Sequence, residues 1–221
     1  MSLEPDVVIE VFGEGKTDLG SGDATSRPTA GVVPILLHRL CGRPDRMLVK
    51  RKATQFLQGK GLAQKVHFAK RQAVYNRSHA VVFVMDSEGG NQELKKRKAQ
   101  LEEGRDRGFP EFAMAVGVAQ PCIESWLLAD AAAIRRGLDL PATPPVPDRP
   151  EDLPAPCQDA IRNPKAVLGS LGGGGRPLSA AQKDGIARAM NDLDLVRARC
   201  PLGFGPFANE VDEHIRPLFS A

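Results

Sequence analysis

The sequence predicts an α/β fold in which helices flank a mainly parallel sheet and a helical extension follows at the C-terminus. Segments rich in β-branched residues alternate with helical segments over residues 1–140, a pattern typical of parallel strands joined by helices. Residues 80–85 are apolar on both faces, as expected of a central strand covered on both sides. The length of 221 residues, with 42% hydrophobic and 26% charged residues, fits one substantial globular domain.

The elements of the first half follow from residue type and spacing. Residues 6–12 form a β-branched and aromatic run that predicts the first strand, and residues 46–50 provide the second. Between them, apolar residues at helical spacing predict a helix that begins near Pro28 and ends near Gly42. A basic segment over 60–77 is predicted to be helical and leads into the strand at 80–85.

The second half is predicted to be mostly helical. A charged helix is expected over 92–105, a fourth strand over 112–118 and an apolar helix over 122–130. Seven prolines within 141–156 indicate a linker or surface loop. We therefore divide the chain into an α/β domain (1–140), this Pro-rich segment (141–156), and a helical extension (157–221) packed on the same domain.

Composition excludes several classes of protein. No stretch approaches the roughly 18 apolar residues of a membrane span, and the N-terminus lacks the features of a signal peptide, so we expect a cytoplasmic protein. The cysteines and histidines are scattered, without the spacing of a zinc site or a disulfide framework. We interpret the cysteines as small buried hydrophobic residues; they are Cys41, Cys122, Cys157 and Cys200.

Positive charge is concentrated in one part of the chain. Residues 41–107 hold 16 Lys and Arg against 7 Asp and Glu, whereas the whole chain has a net charge of only +3. Such asymmetry favours a basic face that contacts nucleic acid, although solvated helix faces would also explain it. The candidate contacts are Lys50, Arg51, Lys52, Lys95, Lys96, Arg97 and Lys98.

Acidic residues follow three of the predicted strands. Glu14 comes after the first strand, Asp86 and Glu88 follow the strand at 80–85, and Glu124 lies just past the fourth. Since parallel strands end at the same edge of a sheet, we expect these carboxylates to converge there. An oxygen-rich site without histidine or thiolate suits Mg²⁺ or Mn²⁺; the alternative is that the acids only cap helices.

Three further residues bear on the predicted site. Lys16 follows Glu14 closely and could neutralise charge on a reacting phosphate. Trp126, the only tryptophan, is interpreted as a core residue. Asp130 lies six positions after Glu124 and points in another direction on a helix, so we expect it to close that helix rather than share its metal.

These residues resemble a known family. The motifs F-G-E-G-K-T-D (12–18) and M-D-S-E-G-G (85–90) resemble the Toprim domain of topoisomerases, bacterial primases and nucleases of the overcoming-lysogenisation-defect group. The stretch P-C-I-E-S-W-L-L-A-D (121–130) further resembles an uncharacterised Toprim-like bacterial family. The resemblance implies a Toprim-like, Rossmann-like fold. It also implies that Glu14, Asp86 and Glu88 are catalytic and hold Mg²⁺, with Glu88 replacing the family's second aspartate.

The leading functional hypothesis is a Mg²⁺-dependent nuclease or phosphodiesterase in which Glu14, Lys16, Asp86 and Glu88 are catalytic and Glu124 adds a metal ligand. DNA is favoured over RNA as the partner, and a homodimer is compatible with this interpretation. The resemblance also implies a partner ATPase and a role in phage defence. Two alternatives stay open: a non-catalytic metal-binding effector or adaptor of such an ATPase, and a phosphotransferase or nucleotide-modifying enzyme that uses the same site.

Overall fold

Four parallel strands form the sheet of the computed structural model, which describes residues 7–15, 19–20, 30–42, 46–172 and 174–220. The strands are β1 (Val7–Gly13), β2 (Met47–Ala53), β3 (Ala80–Asp86) and β4 (Ala113–Ala119), and their order across the sheet is β2-β1-β3-β4. The expected α/β fold with a parallel sheet is confirmed.

The register brings the carboxyl ends of the strands to one edge of the sheet. Gly13 is paired with Ala53, Phe12 with Phe83, and Asp86 with Ala119. The residues that follow β1, β3 and β4 therefore start from neighbouring positions. This edge, which we call the carboxyl edge, carries the candidate site.

Helices cover both faces of the sheet. On one face, α1 (Val32–Cys41) packs against β1 and β3 through a core cluster that includes Val82 and Val84. On the other face, α2 (Leu62–Tyr75) and α3 (Asn91–Asp106) pack against Val81 and Phe83. Alternate residues of β3 thus enter opposite cores, which explains why this strand is apolar throughout.

The C-terminal helices join the same core as α1. Trp126 is fully buried, with its ring stacked on Phe207 at 5.4 Å and edge-on to Phe204 at 5.3 Å between ring centroids, which agrees with its interpretation as a core residue. The helices after β4 are α4 (Glu124–Leu128), α5 (Ala131–Gly137), α6 (Pro164–Leu171), α7 (Ala180–Ala189), α8 (Leu193–Arg199) and α9 (Phe204–Glu210), followed by short turns over Val211–Ile215 and Arg216–Phe219.

Several sequence predictions need correction. The helix expected over 122–130 ends at Leu128, and Asp130 begins the next helix by accepting a hydrogen bond from the Ala133 N–H instead of closing the first. Cys157 is exposed, whereas the other three cysteines are buried as expected.

Lys16 lies outside the described residues, so its predicted role stays a prediction. No helix in the described ranges is long and apolar enough to cross a membrane.

The Pro-rich segment is anchored by one buried carboxylate. Glu151, in a short helical turn at Pro150–Asp152, accepts hydrogen bonds from the backbone N–H groups of Leu202 at 2.7 Å and Gly203 at 2.8 Å. Burial raises the pKa of Glu151 from 4.5 to about 7, although these N–H groups oppose the shift. The segment is therefore attached to the start of α9 by a group that titrates near neutral pH.

The Glu151 contact should make stability depend on pH. The folded protein keeps a proton on Glu151 between pH 4.5 and about 7, where the unfolded chain has lost it. The stabilising contribution is therefore complete below pH 4.5 and is lost as the pH rises through about 7, a fall of up to about 3 kcal/mol in the free energy of unfolding.

Urea unfolding of the wild type and of Glu151→Gln at several pH values measures this effect, since glutamine does not titrate and every other group is common to both proteins. The free energy of unfolding of the wild type should fall more steeply with rising pH than that of the variant. Parallel pH profiles for the two proteins would contradict the assignment.

Candidate metal centre

Asp86 is held at the carboxyl edge by the backbone of the neighbouring loop. It is the last residue of β3, and its Oδ1 accepts a hydrogen bond of 2.9 Å from the Ile123 N–H. Its Oδ2 lies 4.0 Å from the Nζ of Lys165, which is in the first turn of α6. One carboxylate oxygen is thus fixed by the chain, and the other faces a partly exposed ammonium group.

Glu124 enters the same place from the next strand. It is the first residue of α4, which begins five residues after β4 ends, and only 2% of its surface is exposed. Its Oε1 accepts a hydrogen bond of 2.5 Å from Lys183 Nζ, and Lys183 is itself 7% exposed. Its Oε2 is buried and forms no well-oriented hydrogen bond in the described part of the chain.

Asp86, Glu124 and Cys122 form a group that could hold a metal ion. One carboxylate oxygen from each acid and the Sγ of Cys122 lie within 4.8 Å of one another. The expected convergence of Asp86 and Glu124 is therefore observed. Sequence reasoning missed Cys122 as a member of this group because it lacks a partner at ligand spacing; its position two residues before Glu124 was the available signal.

The charges of the group favour two carboxylates and a neutral thiol. Burial alone would raise the pKa of Glu124, but the ammonium groups of Lys183 and Lys165 lower it below its ordinary value. Burial raises the pKa of the Cys122 thiol, and the nearby negative charges of Glu124 and Asp86 raise it further. In the absence of a cation, the site therefore offers carboxylate oxygens and a protonated sulfur.

The other two predicted ligands, Glu14 and Glu88, converge on Arg97. The guanidinium of Arg97 donates a hydrogen bond of 3.0 Å to Glu88 Oε2 and lies 3.9 Å from Glu14 Oε1. Neither acid belongs to the group of Asp86, Cys122 and Glu124. Their role as metal ligands stays a prediction, and Arg97, predicted to contact nucleic acid, has its charge engaged by these carboxylates.

The loop after β3 is held by the loop after β4. Glu88 has a φ of 56°, a left-handed conformation that is unfavourable for a residue with a side chain. Its N–H donates to the Pro121 carbonyl at 3.0 Å, and the preceding Ser87 N–H donates to the Ala119 carbonyl at 2.8 Å. These bonds fix the backbone beside Asp86, so the geometry of the site depends on both loops.

A small cavity of about 110 Å³ adjoins Glu124. Lys165 and Lys183 line it together with Glu124, and Leu168, Pro177 and Leu178 provide apolar walls. The Lys165 side chain is 47% exposed, whereas that of Lys183 is 8% exposed. Lys183 is therefore a buried counter-ion of Glu124, and Lys165 is the ammonium group that a molecule from solvent can reach.

The remaining predicted basic contacts lie on two elements that reach the carboxyl edge. Lys50 and Arg51 are exposed on the edge strand β2, while Lys52 is half-buried and lies 3.7 Å from the buried Glu10. The other contacts are exposed residues in the first two turns of α3: Lys95, Lys96 and Lys98. The residues of α3 directly follow the loop after β3, and Arg51 donates a hydrogen bond of 3.2 Å to the Leu19 carbonyl, in the segment after β1.

Comparison with protein-family models, curated proteins and solved structures finds no match for this chain. The Toprim resemblance therefore stays a prediction, carried by the sequence motifs.

The buried pair of Glu124 and Lys183 should be strongly coupled. Replacing Lys183 by methionine leaves a buried carboxylate without its counter-ion, which should lower the free energy of unfolding by about 3–5 kcal/mol. Adding Glu124→Gln should recover much of this loss, because the glutamine carries no charge. Lys165→Met, which removes a half-exposed ammonium group, should cost less than about 1 kcal/mol.

Urea unfolding of the wild type, both single variants and the double variant measures the coupling energy. A Lys183→Met variant as stable as Lys165→Met would show that Glu124 does not depend on this ion pair.

Proposed function

We propose that this chain is a cytoplasmic Mg²⁺-dependent phosphodiesterase that acts on nucleic acid at the carboxyl edge of its sheet. The observation that carries the proposal is the convergence of Asp86 and Glu124, two carboxylates from neighbouring strand ends with ligand atoms within 4.8 Å. Two ionised groups so close repel each other, and a divalent cation between them relieves that repulsion.

The donor set supports a hard cation. Asp86 and Glu124 offer carboxylate oxygens, which Mg²⁺ and Mn²⁺ prefer. Burial raises the pKa of the Cys122 thiol in the metal-free protein, and a hard ion such as Mg²⁺ favours the two carboxylates over sulfur. When bound, Mg²⁺ would polarise a phosphoryl oxygen and lower the pKa of a coordinated water molecule.

The residues around the site have distinct roles in this proposal. Asp86 and Glu124 hold the ion, and Lys183 positions Glu124 in its ionised form. Lys165, half-exposed at the cavity, contacts a phosphate oxygen and offsets its charge. Glu14 and Glu88 are the candidate ligands of a second ion. To bind it, they would have to release the guanidinium of Arg97 and contact the cation instead.

The basic residues near this edge support nucleic acid as the substrate class. Lys50, Lys95, Lys96 and Lys98 are exposed on β2 and α3, and contacts to successive phosphates need such cations. DNA is favoured over RNA, as the sequence resemblance implies. Affinity should then fall steeply with salt, because each neutralised phosphate releases condensed counterions.

A second candidate is a non-catalytic effector or adaptor of a partner ATPase, with phage defence as the context that the resemblance implies. The observation that favours it is the balance of charge at the carboxyl edge. Glu124 is paired with Lys183, Asp86 faces Lys165, and Glu14 and Glu88 share Arg97. Carboxylates already balanced by protein cations can exist without a metal ion.

A cleavage assay separates the two candidates. Labelled single- and double-stranded DNA and RNA are incubated with the protein in Mg²⁺, Mn²⁺ or EDTA. We expect cleavage with either ion and none in EDTA. Asp86→Asn should fold normally but lose about a hundredfold or more in rate, because it removes an anionic ligand of the ion.

Asp194→Asn is the matched control, since its side chain is 99% exposed on α8 and lies outside the site. It should cleave as the wild type does. Wild-type cleavage that survives Asp86→Asn or EDTA would place the active site elsewhere. A wild type that cleaves none of the substrates in either ion would favour the adaptor.

A further inference from the structure

An open cavity lies beside α1 and α7, and its lining shares no residue with the group of Asp86, Cys122 and Glu124. It has a volume of about 720 Å³ and is formed by α1 with the preceding Ala30, the end of α7 and the residues after α7. A second cavity of about 390 Å³ adjoins it along β2, from Met47 to Arg51. The two share Ala30, His38 and Arg188, so they form one continuous depression, which we call the α1–α7 cavity.

Its charged lining is cationic. Arg39 and Arg188 line the larger part and Arg51 lines the smaller part. Among the described residues, no carboxylate lines either part. The nearest acid on α7, Asp184, is engaged by the backbone N–H groups of Ala30 at 2.6 Å and Gly31 at 3.1 Å.

Arg39 is held in place while Arg188 is available. The guanidinium of Arg39 donates hydrogen bonds to the Arg188 carbonyl and, at 3.3 Å, to Asn191 Oδ1. The exposed Arg188 guanidinium makes no hydrogen bond or ion pair with any described residue. The cavity therefore combines a fixed cation with one free to contact a ligand.

His38 lines both parts of the cavity. Its Nδ1 is buried and has no hydrogen-bond partner in the described ranges. Burial, with Arg188 nearby, lowers the pKa of His38, so the imidazole is neutral at pH 7. Because Nδ1 is enclosed by the protein, His38 presents its neutral ring to a ligand and not this nitrogen.

The rest of the lining is aliphatic. Ile35 and Leu193 face the larger part, and Pro34, Met47 and Val49 face the smaller part. Pockets for small molecules have volumes of roughly 300–1,000 Å³ and combine apolar walls with a few convergent polar groups. The pairing of guanidinium groups with an apolar wall suits a ligand that has both a phosphate and a planar base.

We propose that the α1–α7 cavity is a binding site for a free mononucleotide, with its phosphate on Arg188 and Arg39 and its base against the aliphatic wall. The site is separate from the metal centre. Its lining residues belong to α1, α7, β2 and the residues next to them, and none of them lines the small cavity beside Glu124. A nucleic-acid strand bound at the carboxyl edge could also bring a phosphate group to these arginines. The test therefore includes an oligonucleotide.

Isothermal titration of the purified chain with AMP, in EDTA to exclude the metal centre, tests the site. We expect saturable binding of one AMP per chain, with inorganic phosphate competing and adenosine binding more weakly than AMP. Arg188→Gln should raise the Kd for AMP about tenfold or more, the usual effect of losing a charge-assisted hydrogen bond. Arg71→Gln removes an equal charge from the exposed surface of α2, on the other face of the sheet, and should leave the Kd unchanged.

Three results would overturn the proposal: no saturable AMP binding, equal loss of affinity in Arg188→Gln and Arg71→Gln, or loss of AMP binding in Asp86→Asn instead of Arg188→Gln. A single-stranded oligonucleotide provides the remaining arm. If Arg188→Gln weakens oligonucleotide binding and AMP does not displace the oligonucleotide, the cavity contacts a nucleic-acid strand. The mononucleotide site is then rejected. Oligonucleotide binding that is unchanged in Arg188→Gln supports the separate site.

Discussion

The buried ion pair between Glu124 and Lys183 is the interaction on which the candidate site depends. Its atoms are 2.5 Å apart, and it joins the first residue of α4, at the carboxyl edge, to α7, 59 residues further along the chain. A carboxylate at 2% exposure would become protonated without a counter-ion. Lys183 keeps it ionised and attaches the C-terminal helices to the sheet edge, so the charge of the site and the packing of the extension rely on one contact.

The parallel sheet determines where the ionised Glu124 lies relative to Asp86. Because β3 and β4 run side by side, Asp86 and the loop that carries Glu124 start from paired residues. The loop after β4 then holds both Asp86, through the Ile123 N–H, and Glu88, through the Pro121 carbonyl. Backbone contacts thus orient the Asp86 carboxylate and fix the main chain at Glu88, whereas the charges of the acids are balanced by side chains from α3, α6 and α7. A cation that binds here competes with ammonium and guanidinium groups, which makes metal affinity sensitive to those residues.

Local sequence patterns predicted the elements and the convergence of Asp86 with Glu124, because strand periodicity and parallel pairing are enough to place strand ends together. Arg97 is only nine residues from Glu88, but their contact depends on the path of the loop between β3 and α3, which residue periodicity does not specify. Lys183 could not be assigned as the partner of Glu124, since that contact joins elements 59 residues apart in the chain. The same holds for Glu151, which lies in a Pro-rich segment without periodicity. Cys122 was interpreted from its spacing to other cysteines, and that spacing carries no information about a carboxylate contact. The helix break before Asp130 was missed because the apolar run continues through it.

In the proposed metal centre, Asp86 and Glu124 bind one divalent cation together. Anomalous diffraction from crystals grown or soaked in Mn²⁺ tests this most directly, since it locates the ion without reference to activity. Joint binding predicts an anomalous peak within about 2.0–2.6 Å of a carboxylate oxygen from both residues. A peak bound only by Glu14 and Glu88 would contradict this proposal. Crystals saturated with Mn²⁺ that show no peak, and in which Lys183 still contacts Glu124, would also contradict it.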